Sequence, residues 1–309
     1  MTPKLFGRSQ AAAGGFILIA VLWIIAALAT LAAIYSIYAV NTAAASHVAD
    51  DRLQAEASFR AGVELAAFQL LAAPEQKLPT YGAFEARVGR TKIAVRYRTE
   101  RARIDLNIAP KEMLAGLFAA VGVADSHAAD DADHIVGWRT KPDPNADNGE
   151  VSAYKTAGLA YPPRQAPFND PLELGLVRGL PPETVERILP DVTIFNGTTQ
   201  VDVVTADAEV LAALPSMTPD ILQKVLTARA SNPEDSQGLM KLLGPARDGA
   251  SIEAGKAFRA QITVDLGRGR DVEAEVVFRL NDGDEEPYSV LYWRDDFDGP
   301  FQLEKPRKL

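Results

Sequence analysis

The segment Lys141–Tyr154 carries oxygen-bearing side chains at a spacing that suits a hard metal ion. Its sequence is KPDPNADNGEVSAY, in which Asp143, Asn145 and Asp147 alternate and Glu150 follows a glycine. Alternating carboxylate and amide oxygens on a turning loop are ligands that Ca²⁺ favours. The loop is shorter than an EF-hand loop, whose closing glutamate is the twelfth residue. We therefore predict a calcium site formed by these four residues, with a solvated polar loop as the alternative.

A second group of potential metal ligands lies in the segment Asp125–His134. It contains two histidines and four aspartates, and imidazole suits transition metals. The same composition is typical of a helix entry with solvated acids and an N-terminal cap, so both interpretations stay open. The sequence has no cysteine, no glycine-flanked serine typical of a nucleophile elbow and no phosphate-binding loop. We therefore predict that the chain is not an enzyme and has no catalytic residues.

The charge of the chain argues against a nucleic-acid-binding protein, and its lack of cysteine excludes stabilisation by disulfides. The 309 residues include 41 acidic and 32 basic side chains, which gives a formal net charge of −9. Nonspecific binding to nucleic acid depends on lysine and arginine against phosphate, so we predict no nucleic-acid partner. An exported chain without cysteine must obtain its stability from its core, from assembly or from a metal.

The stretch Phe16–Val40 contains no charged residue. We expect it to anchor the rest of the chain at a membrane. A helix of its length spans about 37 Å, which is enough to cross a hydrocarbon core of about 30 Å. Lys4 and Arg8 are the only charged side chains of the leader 1–15. Because positive flanks stay in the cytoplasm, we predict a transmembrane helix at 16–40 with an exported C-terminal bulk.

Small residues, Ala11–Gly15, come before this apolar run, whereas a cleaved secretory signal has them after it. The arrangement resembles the class III signal of type IV prepilins and pseudopilins. In that family a prepilin peptidase cuts after a glycine and methylates the new N-terminal residue, and Gly15 and Phe16 match those positions. The family's glutamate at the fifth mature position is Ala20 here, which suits a first subunit with no neighbour above it to neutralise a carboxylate. An ordinary signal anchor that is never cut is the alternative.

The periodicity of the remaining sequence predicts an α+β fold. The N-terminal helix is predicted to continue to about Ala73, with an apolar stripe formed by Leu53, Ala57, Ala61, Leu65 and Phe68. Alternating apolar residues predict a strand at Lys92–Arg103. Three more strands are predicted near the C-terminus, at Phe258–Leu266, Val272–Leu280 and Tyr288–Trp293. Because one strand cannot form a sheet alone, we pair the first strand with these three.

The intervening segment then becomes an insertion into a pilin-like domain. We predict a pilin-like long N-terminal helix packed on an antiparallel sheet, with a large, mostly α-helical insertion that is SAM-like or helix–hairpin–helix-like. The predicted divisions are the leader 1–15, the transmembrane helix 16–40, the pilin-like parts 41–103 and 255–309, and the insertion 104–254.

The insertion contains a weak internal repeat. Ile104–Leu114 aligns with Val201–Leu211 at an offset of 97 residues. The second copy continues into a hairpin at Leu214–Thr218, which lacks the glycine through which helix–hairpin–helix units approach DNA phosphate. The sequence thus predicts the outline of such a unit without its usual ligand.

Three short motifs stand out in the insertion: Asn107-Ile108-Ala109, Trp138-Arg139 and Leu176-Val177-Arg178-Gly179. They resemble motifs of the minor pseudopilin K family of type II secretion systems, and with the N-terminal signature the resemblance covers roughly Gly14 to Trp293. Members of that family bind calcium in an acidic loop of the insertion. The family's aspartate after the tryptophan–arginine pair is Thr140 here, which puts one ligand in doubt.

The resemblance implies a minor pseudopilin at the tip of the type II secretion pseudopilus, which initiates and caps assembly for protein export across the outer membrane. Its implied partners are the minor pseudopilins I and J, the prepilin peptidase and inner-membrane lipid. Its implied location is the bacterial inner membrane, single pass, with the N-terminus cytoplasmic and the C-terminal domain periplasmic. The alternatives are an unprocessed membrane-anchored periplasmic scaffold and a DNA-uptake pseudopilin that uses the helix–hairpin–helix-like segment.

Overall fold

The computed structural model describes residues 13–74, 78–89, 91–143, 149–267, 269–283 and 286–295. Two of the predicted calcium ligands, Asn145 and Asp147, lie outside these ranges. The chain forms two compact units, Met1–Glu56 and Ala57–Leu309. The domain boundaries inferred from the sequence stay predictions.

A single helix, α1 (Ala13–Leu71), contains the apolar stretch. Its segment Ile17–Thr42 is long and apolar enough to cross a membrane, and none of it is buried within the protein. The hydroxyl of Thr30 donates a hydrogen bond to the carbonyl of Ala26 at 2.8 Å, so this polar group is satisfied inside the helix. The first unit therefore contains a helix with the length and composition of a single membrane anchor, as predicted.

The strands of the second unit, in chain order, are β1 (Tyr81–Val88), β2 (Thr91–Thr99), β3 (Ile104–Asp105), β4 (Val192–Thr193), β5 (Val201–Asp202), β6 (Ala250–Ser251), β7 (Ala257–Asp265), β8 (Asp271–Leu280) and β9 (Tyr288–Asp295). Five of them form one antiparallel sheet in the order β1-β2-β7-β8-β9. The helices between β2 and β7 are α2 (Lys111–Ala120), α3 (Asp125–Arg139), α4 (Gly149–Thr156), α5 (Pro182–Ile188), α6 (Ala208–Ala212), α7 (Pro219–Ser231) and α8 (Ser236–Leu242).

This architecture confirms the predicted fold class, and β2 pairs with the C-terminal strands through β7 as expected. Two details differ from the prediction. Strand β1 was not predicted, and β2 ends at Thr99 rather than Arg103. The hydroxyl of Thr99 accepts the backbone N–H of Arg101 at 3.3 Å and so starts a 3-10 turn at Glu100–Ala102, which stops the strand.

The apolar stripe predicted for α1 is on the wrong face of the helix. The face that packs on the sheet contains residues that are at most 1% exposed, namely Phe59, Val63, Ala66, Ala67 and Leu70. A Cβ on Gly62 would lie 3.1 Å from the side chain of Ile262, so glycine allows the close approach. In contrast, Leu53 and Phe68 are 66% and 71% exposed. Periodicity gives the spacing of an apolar face but not which of two such faces is buried, and α1 carries two.

The segment between β2 and β7 has its own apolar core. Its fully buried side chains include Phe118, Tyr154, Ile188, Val225 and Leu243. Two short parallel strand pairs, β3 with β4 and β5 with β6, hold the ends of this segment together. The core of the insertion thus supports the elements that carry the sequence motifs.

Candidate functional site

The asparagine motif lies in the turn between β3 and α2. One carboxylate oxygen of Asp105 accepts the backbone N–H of Asn107 at 2.9 Å, and the other accepts that of Gly197 at 2.8 Å. The side chain of Asn107 donates to the carbonyl of Phe168 at 3.1 Å and accepts the backbone N–H of Phe168 at 2.6 Å. Burial raises the pKa of Asp105. This motif therefore fixes a turn and ties it to a distant loop.

The tryptophan–arginine motif ends α3 and closes the same turn. Arg139 donates to the carbonyls of Leu106 and Ala109, the latter at 2.5 Å. The ring of Trp138 lies 6.1 Å, between ring centroids, from both Tyr154 and Phe168. The motif residues that the sequence singled out are thus brought together by the fold, and their contacts are structural.

The second copy of the repeat has the same construction. A carboxylate oxygen of Asp202 accepts the backbone N–H of Val204 at 3.2 Å, as Asp105 does for Asn107 in the first copy. Arg229, near the end of α7, donates to the carbonyl of Ala206 at 2.6 Å. Ala206 and Val204 are each 97 residues after their counterparts in the first copy. The internal repeat predicted from the sequence is therefore confirmed, and a helix-borne arginine belongs to each copy.

The helix–hairpin–helix outline also occurs in both copies. Gly122 (φ +90°), before α3, and Ser216 (φ +63°), before α7, both have left-handed backbone conformations. Arg187 donates a hydrogen bond to the carbonyl of Val121 at the first hairpin. Both hairpins serve to start the helix that carries the closing arginine.

Two of the predicted calcium ligands lie at one cleft of about 310 Å³ between the end of α3 and the start of α4. Asp143 is exposed, and Glu150 lies in the first turn of α4. The cleft is lined by Val136, Gly137, Thr140, Lys141, Pro142, Asp143, Gly149, Glu150 and Gln165. The structure therefore brings Asp143 and Glu150 to the same cleft, while the remaining two predicted ligands fall outside the described residues.

Glu150 is the most informative residue of this cleft. Its Oε2 atom is shielded from solvent and has no hydrogen-bond partner. The guanidinium of Arg178 lies beside it, with its Nη2 atom 3.8 Å from Oε2. Gly137 leaves room for the carboxylate, because a Cβ there would lie 2.6 Å from Oε1 of Glu150. A buried carboxylate oxygen without a donor can be a ligand for a cation. The calcium site stays a prediction, because among the described residues no group of three or more acidic or histidine side chains is placed to hold a metal ion.

The histidine- and aspartate-rich segment forms the first part of α3 and does not gather into a metal site. Among the described residues, no group of three or more histidine, aspartate or glutamate side chains is placed to hold a metal ion. His127 is exposed, whereas His134 packs against Gly179, where a Cβ would lie 2.9 Å from the imidazole ring. Burial, followed by the charge of Arg178, lowers the pKa of His134.

The predicted processing site is at the start of α1. Gly15 and Phe16 lie within the helix, whose first residue is Ala13. Nothing in the structure tests cleavage between them, so processing stays a prediction.

Comparisons with known proteins find similarity to components of a secretion system. Residues 100–197 match the family model for protein K of the type II secretion system. The structure is similar to a chain of the crystal structure of the GspK–GspI–GspJ complex from the enterotoxigenic Escherichia coli type 2 secretion system, with a TM-score of 0.57 and 15% identity. That match covers 82% of this chain and 99% of that chain, and it shows a shared fold. No curated protein matches the sequence. The family match over residues 100–197 and the shared fold confirm the resemblance to protein K of type II secretion systems that was predicted from the sequence.

Proposed function

We propose that this chain is a protein K component of a type II secretion system, a minor pseudopilin at the tip of the pseudopilus that initiates and caps assembly for protein export across the outer membrane. The observation that supports this most is the second apolar face of α1. Phe68 and Leu71 are 71% and 44% exposed on a helix whose other face is buried against the sheet. A helix that is apolar on two faces is expected to bury the second against another chain. The role is assembly rather than catalysis.

The proposed partners are the minor pseudopilins I and J. In the similar crystal structure, GspI and GspJ share a complex with GspK. Replacing Phe68 with glutamate puts a charge on the exposed apolar face, and we expect it to weaken co-purification of the full-length protein with I and J by at least tenfold. Gln69→Glu is the matched control, because Gln69 is an exposed neighbour on the same helix turn. Equal loss of the partners in both variants, or in neither, would contradict the use of this face.

We further propose that the protein spans the bacterial inner membrane once, with a cytoplasmic leader and a periplasmic C-terminal domain. A prepilin peptidase would cut after Gly15 and methylate Phe16. Gly15→Ala should block processing, whereas Gly14→Ala should leave it intact. Intact-mass measurement of the purified N-terminus distinguishes N-methyl-Phe16 from the full leader. A wild-type protein that still begins with Met1 in cells with a working peptidase would favour the unprocessed scaffold.

Calcium is the proposed ligand of the cleft at Glu150. The cation would be held by the oxygens of Asp143, Asn145, Asp147 and Glu150, and it would join the loop to the start of α4. We expect Ca²⁺, and not Mg²⁺, to raise the unfolding temperature of the full-length protein in detergent micelles. Glu150→Gln should abolish that rise, and Glu186→Gln, at an exposed glutamate of α5, should not. The DNA-uptake alternative has no structural observation in its favour within the described ranges.

A further inference from the structure

The side chain of Asn196 holds the connection between the two copies of the repeat, which runs from the end of β4 to the start of β5. Its amide nitrogen donates to the carbonyl of Arg103, directly before β3, at 2.8 Å. It also donates to the carbonyl of Gln200, directly before β5, at 3.1 Å. Only 9% of Asn196 is exposed. One buried side chain thus ties the start of the first copy to the start of the second.

The residue that follows Asn196 makes this side chain chemically vulnerable. It is Gly197, which has no Cβ, so its backbone nitrogen is the least hindered nucleophile that can follow an asparagine. In an asparagine–glycine pair this nitrogen can lose its proton and attack Cγ of the asparagine. A C–N bond forms, ammonia leaves, and a five-membered succinimide ring results. Water then opens the ring and gives either aspartate or isoaspartate.

The fold engages both reacting groups in hydrogen bonds. The backbone N–H of Gly197 donates to Oδ2 of Asp105 at 2.8 Å, and Asp105 is only 3% exposed. Ring closure removes this N–H proton and the NH₂ group of Asn196, so it breaks the bond to Asp105 and both bonds to the carbonyls. The reaction therefore requires a local opening of the connection.

We propose that Asn196-Gly197 is a latent succinimide-forming site, which the fold keeps unreactive and whose conversion releases the connection between the two copies. Aspartate at this position is a buried carboxylate that faces the carbonyl oxygens of Arg103 and Gln200. A carboxylate and a carbonyl both only accept hydrogen bonds, so the two former contacts become repulsive. Isoaspartate in addition inserts one carbon atom into the main chain. Either product destabilises the junction that Asn196 holds.

The test follows Asn196 by mass spectrometry of proteolytic peptides from the full-length protein, incubated in detergent micelles at mildly alkaline pH. We expect conversion to be about tenfold to a hundredfold slower than in a synthetic peptide of the sequence Ile194–Gln200, because the hydrogen bonds must open first. The same protein unfolded in urea should convert at the rate of the peptide. Isoaspartate beside aspartate identifies the succinimide, since direct hydrolysis of the amide gives aspartate alone.

The role of Asp105 is tested by a pair of variants. Asp105→Ala releases the nitrogen of Gly197 and should accelerate conversion about threefold to tenfold. Asp202→Ala is the matched control, because Asp202 accepts the backbone N–H groups of Val204 and Thr205 in the equivalent turn of the second copy. Equal acceleration in the two variants would show that general loosening of the insertion controls the rate, and it would overturn the protection by Asp105.

A further pair tests the consequence of conversion without depending on its rate. Asn196→Asp should lower the unfolding temperature of the full-length protein by about 5 °C or more. Asn169→Asp makes the same change at an exposed asparagine and should lower it by no more than about 1 °C. Equal unfolding temperatures of the two variants, conversion of the folded protein as fast as the peptide, or unfolded protein without isoaspartate would each overturn the proposal.

Discussion

The two copies of the repeat in the insertion share a framework but differ in what each carries. Both copies begin with a short strand, an aspartate that fixes the next turn, and a helix-borne arginine that closes it. The first copy runs from Ile104 to Thr193 and the second from Val201 to Ser251. The additional length of the first copy contains α4, the acidic cleft and Arg178. The duplicated framework is therefore structural, and the candidate ligand chemistry lies in the added segment.

The copies also differ in how they are attached to the sheet. At the first copy, Glu100 and Arg259 form a pair at 2.7 Å whose side chains are 1% and 12% exposed, and Thr193 of β4 donates to the same glutamate. At the second copy, Arg98 and Asp207 lie 3.4 Å apart and are 27% and 15% exposed. Because buried charges without partners cost far more than exposed ones, the attachment of the first copy is the more sensitive to mutation.

The largest expected effect comes from breaking the buried attachment. Arg259→Met removes the guanidinium that pairs with both Glu100 and Glu275, and we expect a loss of about 3–5 kcal/mol in the free energy of unfolding. The equivalent change at the second copy, Arg98→Met, should cost no more than about 1 kcal/mol. Urea unfolding of the full-length protein in micelles, followed by near-ultraviolet circular dichroism, measures both. Equal losses at the two sites would show that the attachments do not differ.

Acid should weaken the same attachment in a defined pH window. Burial by itself would raise the pKa of Glu100, but the charges of Arg259 and Arg103 outweigh it and lower the pKa to about 2. A carboxylate with a depressed pKa stabilises the fold above its unfolded pKa, and that stability is lost as the pH falls from about 4.5 towards 2. The contribution is of the order of 3 kcal/mol.

The difference between wild type and Glu100→Gln isolates this contribution from that of other carboxylates. We expect the free energy of unfolding of wild type to fall about 2 kcal/mol further than that of Glu100→Gln between pH 5 and pH 3. Parallel pH profiles of the two proteins would contradict the assigned pKa shift.

The sequence predicted the repeat but not the arginine that closes the turn in each copy. Strand, turn and helix start are encoded in contiguous residues, so a constant offset of 97 residues aligns Asp105 with Asp202. The closing arginines, Arg139 and Arg229, are only 90 residues apart. The helix α7 starts 94 rather than 97 residues after α3, and its arginine lies four residues nearer the helix start than that of α3 does. An alignment at one offset therefore misses their equivalence.

Other features were hidden because they depend on contacts between distant residues. Apolar and polar residues alternate only weakly along strand β1. Its Gly82 is required by the ring of Tyr97, which lies 2.4 Å from the position that a Cβ would occupy. The acidic loop was recognisable from its composition. The position of Arg178 beside Glu150 could not be predicted. The two residues belong to separate elements, and no sequence pattern shows which cation lies beside a carboxylate.

A smaller effect tests whether the two arginines have equal roles. Arg139 donates hydrogen bonds to two backbone carbonyls, whereas Arg229 donates one to the carbonyl of Ala206. Each charge-assisted hydrogen bond is worth about 1.5–3 kcal/mol, so Arg139→Met should destabilise the protein by about 3 kcal/mol and Arg229→Met by about 2 kcal/mol. The same urea titration measures both. A larger loss for Arg229→Met would show that the second copy, rather than the first, is the main support of the insertion.

The smallest expected effect concerns the two hairpins. Gly122 and Ser216 both have positive φ angles, yet only the first is glycine. A serine in this conformation is strained by about 1 kcal/mol, and replacing it with glycine relieves that strain. Part of the relief is offset because glycine has greater conformational freedom in the unfolded chain. We expect Ser216→Gly to stabilise the protein by about 0.5 kcal/mol and Gly122→Ser to destabilise it by a similar amount. Opposite signs in thermal unfolding would support the equivalence of the hairpins, and a loss of stability in both variants would contradict it.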